Sequence, residues 1–165
     1  MTQIKLIWAQ SRNGTIGRGG MIPWHQRADM QLFRSETTGK VVLMGRKTME
    51  SLNGRPLPNR VNLVLTHRAQ TDLPAGFQKV ARIDDAIDFA KRTANDLVII
   101  GGKAIYEASI KLADELLITY LEAEIDGDVS MATINESAWS AESVLAGPAD
   151  EQNDYAYRVV RYQRR

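Results

Sequence analysis

Asp29 follows the anchor Pro23-Trp24 and precedes Met30, Leu32 and Phe33, so on a helix it shares a side with Leu32 and Phe33 at i+3 and i+4. A carboxylate beside an apolar patch has two readings. It can stabilise a helix N-terminus, or, sunk in an apolar cleft, it gains a raised pKa and suits hydrogen-bonding and protonating a heterocycle. A second chemistry belongs to three strand ends, Met44-Gly45-Arg46-Lys47-Thr48, Leu65-Thr66-His67-Arg68 and Ile99-Ile100-Gly101-Gly102-Lys103. In open α/β sheets anionic ligands bind outside the carboxyl ends of the strands, where cations and the backbone N–H groups of helix starts meet them. The Gly101-Gly102 pair either lets a cofactor approach without Cβ contacts or forms a plain tight turn.

Two better-known phosphate motifs are excluded. The loop Gly14-Thr15-Ile16-Gly17-Arg18-Gly19-Gly20 is spaced loosely like a dinucleotide fingerprint, but the third glycine position is Ile22, and a helix cannot run into Pro23. Gly45-Arg46-Lys47-Thr48 lacks the Gly-Lys-Thr juncture of a P-loop and its upstream glycine. What remains at residues 14 to 24 is a long glycine-rich loop, suited to a lid or a plain surface connection.

Composition narrows the chemistry further. The 165 residues contain no Cys, which removes thiolate catalysis, disulfides and Cys-based metal sites, and the two histidines, His25 and His67, lack metal-ligand spacing. No metal is expected. The net charge of +1 gives no field to draw in nucleic acid or a membrane. That total hides a gradient. Residues 40 to 68 carry six basic groups and only Glu50 as an acid, whereas residues 107 to 154 are strongly acidic and read first as solvated surface. The apolar start, Ile4 to Ala9, is interrupted by Lys5 and too short for a secretory core, and nothing approaches the ~20 apolar residues of a membrane span. A cytoplasmic location is expected.

The elements that must position these groups are legible as runs. Ile4 to Gln10, Val41 to Met44, Val61 to Thr66, Asp96 to Ile100 and Leu116 to Leu121 look like buried strands. Between them Ile83, Ala86, Ile87 and Ala90 mark one helix face, and Ile105, Ala108 and Leu112 nearly do. The alternation predicts a single α/β domain over residues 1 to 165, with a mostly parallel twisted sheet covered by helices on both faces. Tyr155 to Gln163 alternates with no following helix, which predicts an antiparallel C-terminal edge.

Taken in order, Leu6-Ile-Trp-Ala-Gln10, Ile16-Gly17, Ile22-Pro-Trp24, Asp29, Phe33, Met44-Gly45-Arg46, Thr48, Glu50-Ser51, Arg55-Pro-Leu-Pro58, Arg60, Asn62, Gly101-Gly102, Ile105-Tyr106, Thr119 and Gly127-Asp128 closely resemble the bacterial dihydrofolate reductases, nearly end to end. The resemblance implies hydride transfer from NADPH to carbon 6 of 7,8-dihydrofolate with protonation of nitrogen 5, the cofactor carrying the hydride chemistry. It implies that Asp29 is the ionisable group of the pterin pocket, with Trp24 helping to hold a water and Thr119 hydrogen-bonding near Asp29. Ile7, Trp8, Ala9, Met30, Phe33, Ser51, Leu52 and Ile100 would line the pterin and benzoyl groups. Arg60, with Arg55 nearby, would pair with the α-carboxylate of the substrate's glutamate.

For NADPH the resemblance implies Arg46, Lys47, Thr66 and His67 around the 2′-phosphate and pyrophosphate, with Gly45, Thr48 and Leu65 beside them. Gly101, Gly102, Lys103, Ala104, Ile105 and Tyr106 would run along the pyrophosphate and nicotinamide, with the Gly101-Gly102 bond cis. Ala9 and the lid residues Ile16, Gly17, Arg18, Gly19, Gly20 and Met21 would complete the cofactor set. Antifolate inhibitors would be further ligands, and the chain would act as a monomer.

The chain departs from the family pattern at several places. Gln26-Arg27 stands where Leu-Pro is usual, so the helix loses a proline preset for its first position and the lid edge gains polar groups. Met49 replaces a common aromatic, Lys103 a third glycine, and Val129-Ser-Met-Ala132 the usual Thr-x-Phe-Pro. Two alternatives stay open at this point: a reductase of the same fold acting on another heterocycle, such as a pyrimidine, and a non-catalytic nucleotide-binding module.

Overall fold

The computed structural model describes residues 1–165. Ten strands and four helices run in the order β1 (Ile4–Gln10), β2 (Thr15–Gly17), α1 (Arg27–Thr37), β3 (Val41–Gly45), α2 (Arg46–Ser51), β4 (Val61–Leu65), β5 (Phe77–Val80), α3 (Ile83–Arg92), β6 (Leu97–Ile99), α4 (Lys103–Ser109), β7 (Glu115–Leu121), β8 (Val129–Ser130), β9 (Trp139–Gly147) and β10 (Tyr157–Arg164). Eight of the strands form one mostly parallel sheet, ordered β5-β4-β3-β6-β1-β7-β10-β9, and β2 pairs with β8. By contacts the chain divides into two compact units, Met1–Leu6 with Ser35–Ala113, and Ile7–Arg34 with Asp114–Arg165.

The first unit is parallel throughout. β4 pairs with β5 and β3, β3 pairs with β6, and β6 pairs with the start of β1. Val41, Val42, Leu43, Met44, Val64, Leu97, Val98 and Ile99 are all buried, which is why these strands are continuous apolar runs rather than alternations. α3 shows how its sequence makes a helix. Asp84 and Asp85 occupy its first turn, Lys91 and Arg92 its last, and Ala86, Ile87 and Ala90 form the buried face. The register Gly45↔Leu65 brings the ends of β3 and β4 level, and the Gly45 N–H donates to the Gly101 carbonyl at 2.8 Å. The three basic or glycine-rich strand ends therefore lie side by side.

The second unit contains the antiparallel strands. β10 pairs with β7 on one side and β9 on the other, so β9 takes the outermost place beyond the C-terminal strand. The acidic stretch is only partly solvated surface. Glu115 is buried and its carboxylate lies 3.4 Å from the Arg161 guanidinium, and Glu122 sits 3.4 Å from Arg12 and 4.0 Å from Arg158. Arg158 and Arg164 stack over the rings of Tyr120 and Trp139. The basic C-terminal strand thus neutralises part of the acidic segment before it. No helix is long and apolar enough to cross a membrane.

Candidate active site

In the first unit, Arg46 opens α2 directly after Gly45, and Thr66 and His67 follow the last residue of β4. The Arg46 guanidinium is held by Glu50, one helical turn on, at 2.6 Å. That exposed pair fixes the direction of the side chain and contributes little to stability, about 0.3–0.5 kcal/mol. Lys47 and His67 are exposed, and the Thr66 hydroxyl accepts from the Arg68 N–H at 3.1 Å. Gly101 and Gly102 divide their work. Gly101 has φ of +120° and lies against the Tyr106 ring, where a Cβ would meet the hydroxyl at 3.0 Å. Gly102 is exposed, and a Cβ there would meet nothing within 4 Å. The bond between them is cis.

Arg60 is in the same unit. Its Nη1 donates to the buried Thr37 hydroxyl at 2.9 Å and its Nε to the Pro58 carbonyl at 2.9 Å, so the plane of the guanidinium is set by two hydrogen bonds. Arg55 is exposed. The Ser51 hydroxyl donates to the Thr48 carbonyl, Leu52 and Ile100 are half-buried, and Met49 is in the core.

The second unit holds the carboxyl. Asp29 lies in the first turn of α1, and its carboxyl is sunk among protein atoms while the residue keeps part of its surface open. Burial pushes its pKa up to about 6, and the nearby Thr119 hydroxyl of β7 offsets part of that rise. Thr119 Oγ1 is shut off from solvent and makes no well-formed hydrogen bond, so its pull on the Asp29 carboxyl acts over a longer reach. α1 leaves its apolar side half-open: Leu32 and Phe33 are only partly buried, and Met30 is 63% exposed. Ile7 and Trp8 are buried, with the indole N–H donating to Gln10 Oε1 at 2.9 Å, and Ala9 and Trp24 are half-buried.

The glycine-rich loop is tied down at its base. Thr15 and Gly17 pair with Ser130 and Val129, the Thr15 hydroxyl donates to the Ile125 carbonyl, and Asn13 makes two bonds to Ile125. Beyond Gly17 the Asp128 N–H donates to the Gly17 carbonyl, and its carboxylate accepts from the Gly19 N–H at 3.0 Å. Gly127 meets this loop so closely that a Cβ would strike Thr15 and the Gly17 carbonyl. Arg18, Gly19, Gly20 and Met21 form an exposed turn, whereas Ile16 is half-buried.

Comparison with known proteins decides the family, because a family model described as dihydrofolate reductase matches residues 3–164. The chain belongs to the dihydrofolate reductase family. It is 39% identical over 155 residues to a dihydrofolate reductase of Haemophilus influenzae, covering 94% of each chain. A dihydrofolate reductase of Bacillus subtilis is 35% identical over 162 residues, 98% of this chain and 95% of that one. The solved structure of dihydrofolate reductase from Enterococcus faecalis, complexed with NADP(H) and RAB-propyl, superposes with a TM-score of 0.90 at 31% identity, covering 98% and 96% of the two chains.

The dihydrofolate reductase family uses NADPH, and the first unit has the chemistry to hold it. Arg46, Lys47, Thr66 and His67 are phosphate-type donors at adjacent strand ends, and Gly102 offers backbone that no protein atom needs to approach. Lys103 is partly exposed at the start of α4, next to that open backbone. Sequence reasoning missed other groups. Gln10, Gln26, Asp128, Asp150 and Asn153 all make side-chain bonds beside the predicted site residues, and of these only Gln10, Gln26 and Asp128 stood in or beside a noted motif. Asn153 carried no signal because its helix partner, Ala28, is 125 positions away, and Asp150 matters only through Asn153, three positions on.

Proposed function

We propose that this chain reduces 7,8-dihydrofolate to 5,6,7,8-tetrahydrofolate with NADPH, using Asp29 to bind the pterin and to favour protonation of its nitrogen 5. The observation that carries the reading is a carboxyl on the half-open apolar side of α1, raised to about 6 by burial and backed by Thr119. A group that titrates there can be a hydrogen-bond acceptor for the pterin 2-amino group and ring nitrogen when ionised, and can support proton delivery when protonated.

Bound NADPH supplies the hydride. Arg46, Lys47, Thr66 and His67, with Gly45, Thr48 and Leu65 beside them, would hold its phosphates. Gly101 to Tyr106, Ala9 and the turn Ile16 to Met21 would hold the remainder. Phe33, Met30, Ile7, Trp8, Ala9, Ser51, Leu52 and Ile100 would border the substrate rings. The exposure of Met30 and the half-burial of Phe33 support that role, because apolar side chains left open in this way favour a ligand over water. Arg60, oriented by Thr37 and Pro58, offers its fork to the glutamate carboxylate, with Arg55 adding charge. Trp24 would hold the water that carries the proton, and the segment from Gly14 to Trp24 would exclude other water from the reacting carbons.

The same reading makes residues 1 to 165 one functional domain, a cytoplasmic monomer with antifolates among its ligands. Steady-state NADPH oxidation tests it: dihydrofolate should drive oxidation and an antifolate should stop it. Binding of NADPH with no substrate-dependent oxidation would sink the reading. Light scattering checks the monomer.

A further inference from the structure

Gln26 is buried, 2% exposed, although the sequence suggested only a polar group added at the lid edge. Its carboxamide closes on the backbone of one residue: Nε2 donates to the Tyr155 carbonyl at 3.0 Å, and Oε1 accepts from the Tyr155 N–H at 2.8 Å. The backbones of Gln26 and Asn153 are bridged as in an antiparallel pair. Asn153 then reaches the helix itself, where its Oδ1 accepts from the Ala28 N–H at 2.9 Å and the Gln152 carbonyl accepts from the Arg27 N–H at 3.0 Å. Asp150 holds Asn153 in turn, accepting from both its N–H and its Nδ2.

The first N–H groups of a helix have no partner inside it and are normally met by a side chain just upstream. In α1 the N–H groups of Arg27 and Ala28 are met by the segment 150 to 155 instead. A proline at position 27 would have no N–H for Gln152 and an aliphatic residue at 26 could not pair with Tyr155. The Gln26-Arg27 departure is therefore a replacement of preset backbone geometry by a hydrogen-bonded clamp. The next residue after Ala28 is Asp29.

We propose that Gln26 and Asn153 are positioning residues for Asp29, holding the first turn of α1 so that its carboxyl stays sunk beside Thr119. Neither is among the residues proposed above to meet substrate or cofactor. The clamp acts by keeping water from the carboxyl, so its loosening lets the group return toward an ordinary carboxylate. The groups acting on Asp29 are its own burial and the Thr119 hydroxyl of β7.

The proposal rests on the role given to Asp29 above, and its test does not depend on turnover. The Asp29 carboxyl is titrated by NMR in the ligand-free protein, in the parent chain, in Gln26→Leu and in Asn153→Ala; the latter removes one cap bond and keeps the Tyr155 pair. The expected result is a midpoint lowered by about one pH unit in Gln26→Leu and by a smaller step in Asn153→Ala. With activity measured alongside, kcat for dihydrofolate reduction should fall roughly tenfold in Gln26→Leu, following the displaced carboxyl, while the KM for NADPH stays within about twofold. Unchanged midpoints in folded variants would overturn the proposal, even if their melting temperatures fell. If Gln26→Leu does not fold, Asn153→Ala alone decides on the same midpoint. A parent chain with no dihydrofolate-driven oxidation would instead overturn the functional reading and leave the titration result to stand on its own.

Discussion

The Thr119 hydroxyl, from the middle of β7, is close enough to the Asp29 carboxyl in the first turn of α1 to lower its pKa, without a well-formed hydrogen bond between them. Thr119 stands opposite Val159 in the β7–β10 ladder and is 1% exposed, so its position is set by the sheet. Of the two influences on Asp29, burial is the larger, and the carboxyl titrates near 6 instead of near the ordinary value of 3.8. One buried, titratable acid beside a hydroxyl gives the unit both a recognition group and a cost.

The cost is a stability cost with a definite sign. A carboxyl raised in the folded state prefers its proton there, so its contribution is fully favourable below the unfolded value and is lost as pH rises through about 6. Above that pH the charged form costs at most about 3 kcal/mol. Asp29→Asn should therefore be more stable than the parent at pH 8, with the advantage shrinking toward zero at pH 4. Urea unfolding of both proteins at the two pH values checks this. A stability difference independent of pH would contradict a buried, raised carboxyl.

Arg46 is held toward one side by Glu50. If it meets the 2′-phosphate of NADPH, Arg46→Ala should weaken NADPH roughly 10- to 100-fold, as expected for a charged hydrogen bond, and NADH much less. Because the Glu50 pair is exposed, the melting temperature should hardly move. Fluorescence titration with both cofactors makes the comparison, and equal losses would count against a phosphate contact.

The two hydrogen bonds that orient Arg60 predict a KM effect. Arg60→Lys keeps the charge but loses the fork, so the KM for dihydrofolate should rise roughly tenfold or more while kcat stays within about threefold. The bonds to Thr37 and Pro58 would go as well. A fall in kcat with unchanged KM would place Arg60 elsewhere in the cycle.

The first unit's strands were readable in the sequence because parallel strands buried on both faces become unbroken apolar runs. α3 was readable from its charges and its spacing. β9 was not: Ser140-Ala-Glu-Ser143 has no strand signature and is exposed, and its pairing is dictated by β10. The basic stretch from 40 to 68 and the glycine pair were visible as ligand-type groups, since their positions at strand ends follow from the runs before them. The burial of Asp29 was not readable from its neighbours alone, which fitted a helix N-terminus as well. Gln26 was visible only as a departure, because its partner Tyr155 is 129 positions away. The acidic third quarter read as solvated surface, whereas Glu115 is buried in β7 with Arg161 of β10 3.4 Å from its carboxylate.

The pH profile of dihydrofolate-dependent NADPH oxidation, for the parent chain and Asp29→Asn between about pH 5 and 9, bears most directly on the role of Asp29. The parent should show kcat falling as pH rises through the region just above 6, where the carboxyl loses its proton. Asp29→Asn should bind NADPH as the parent does, lose most turnover at neutral pH, and recover part of it in acid, where the substrate is already protonated. A variant as active as the parent at pH 7, with the same profile, would contradict the assignment of Asp29.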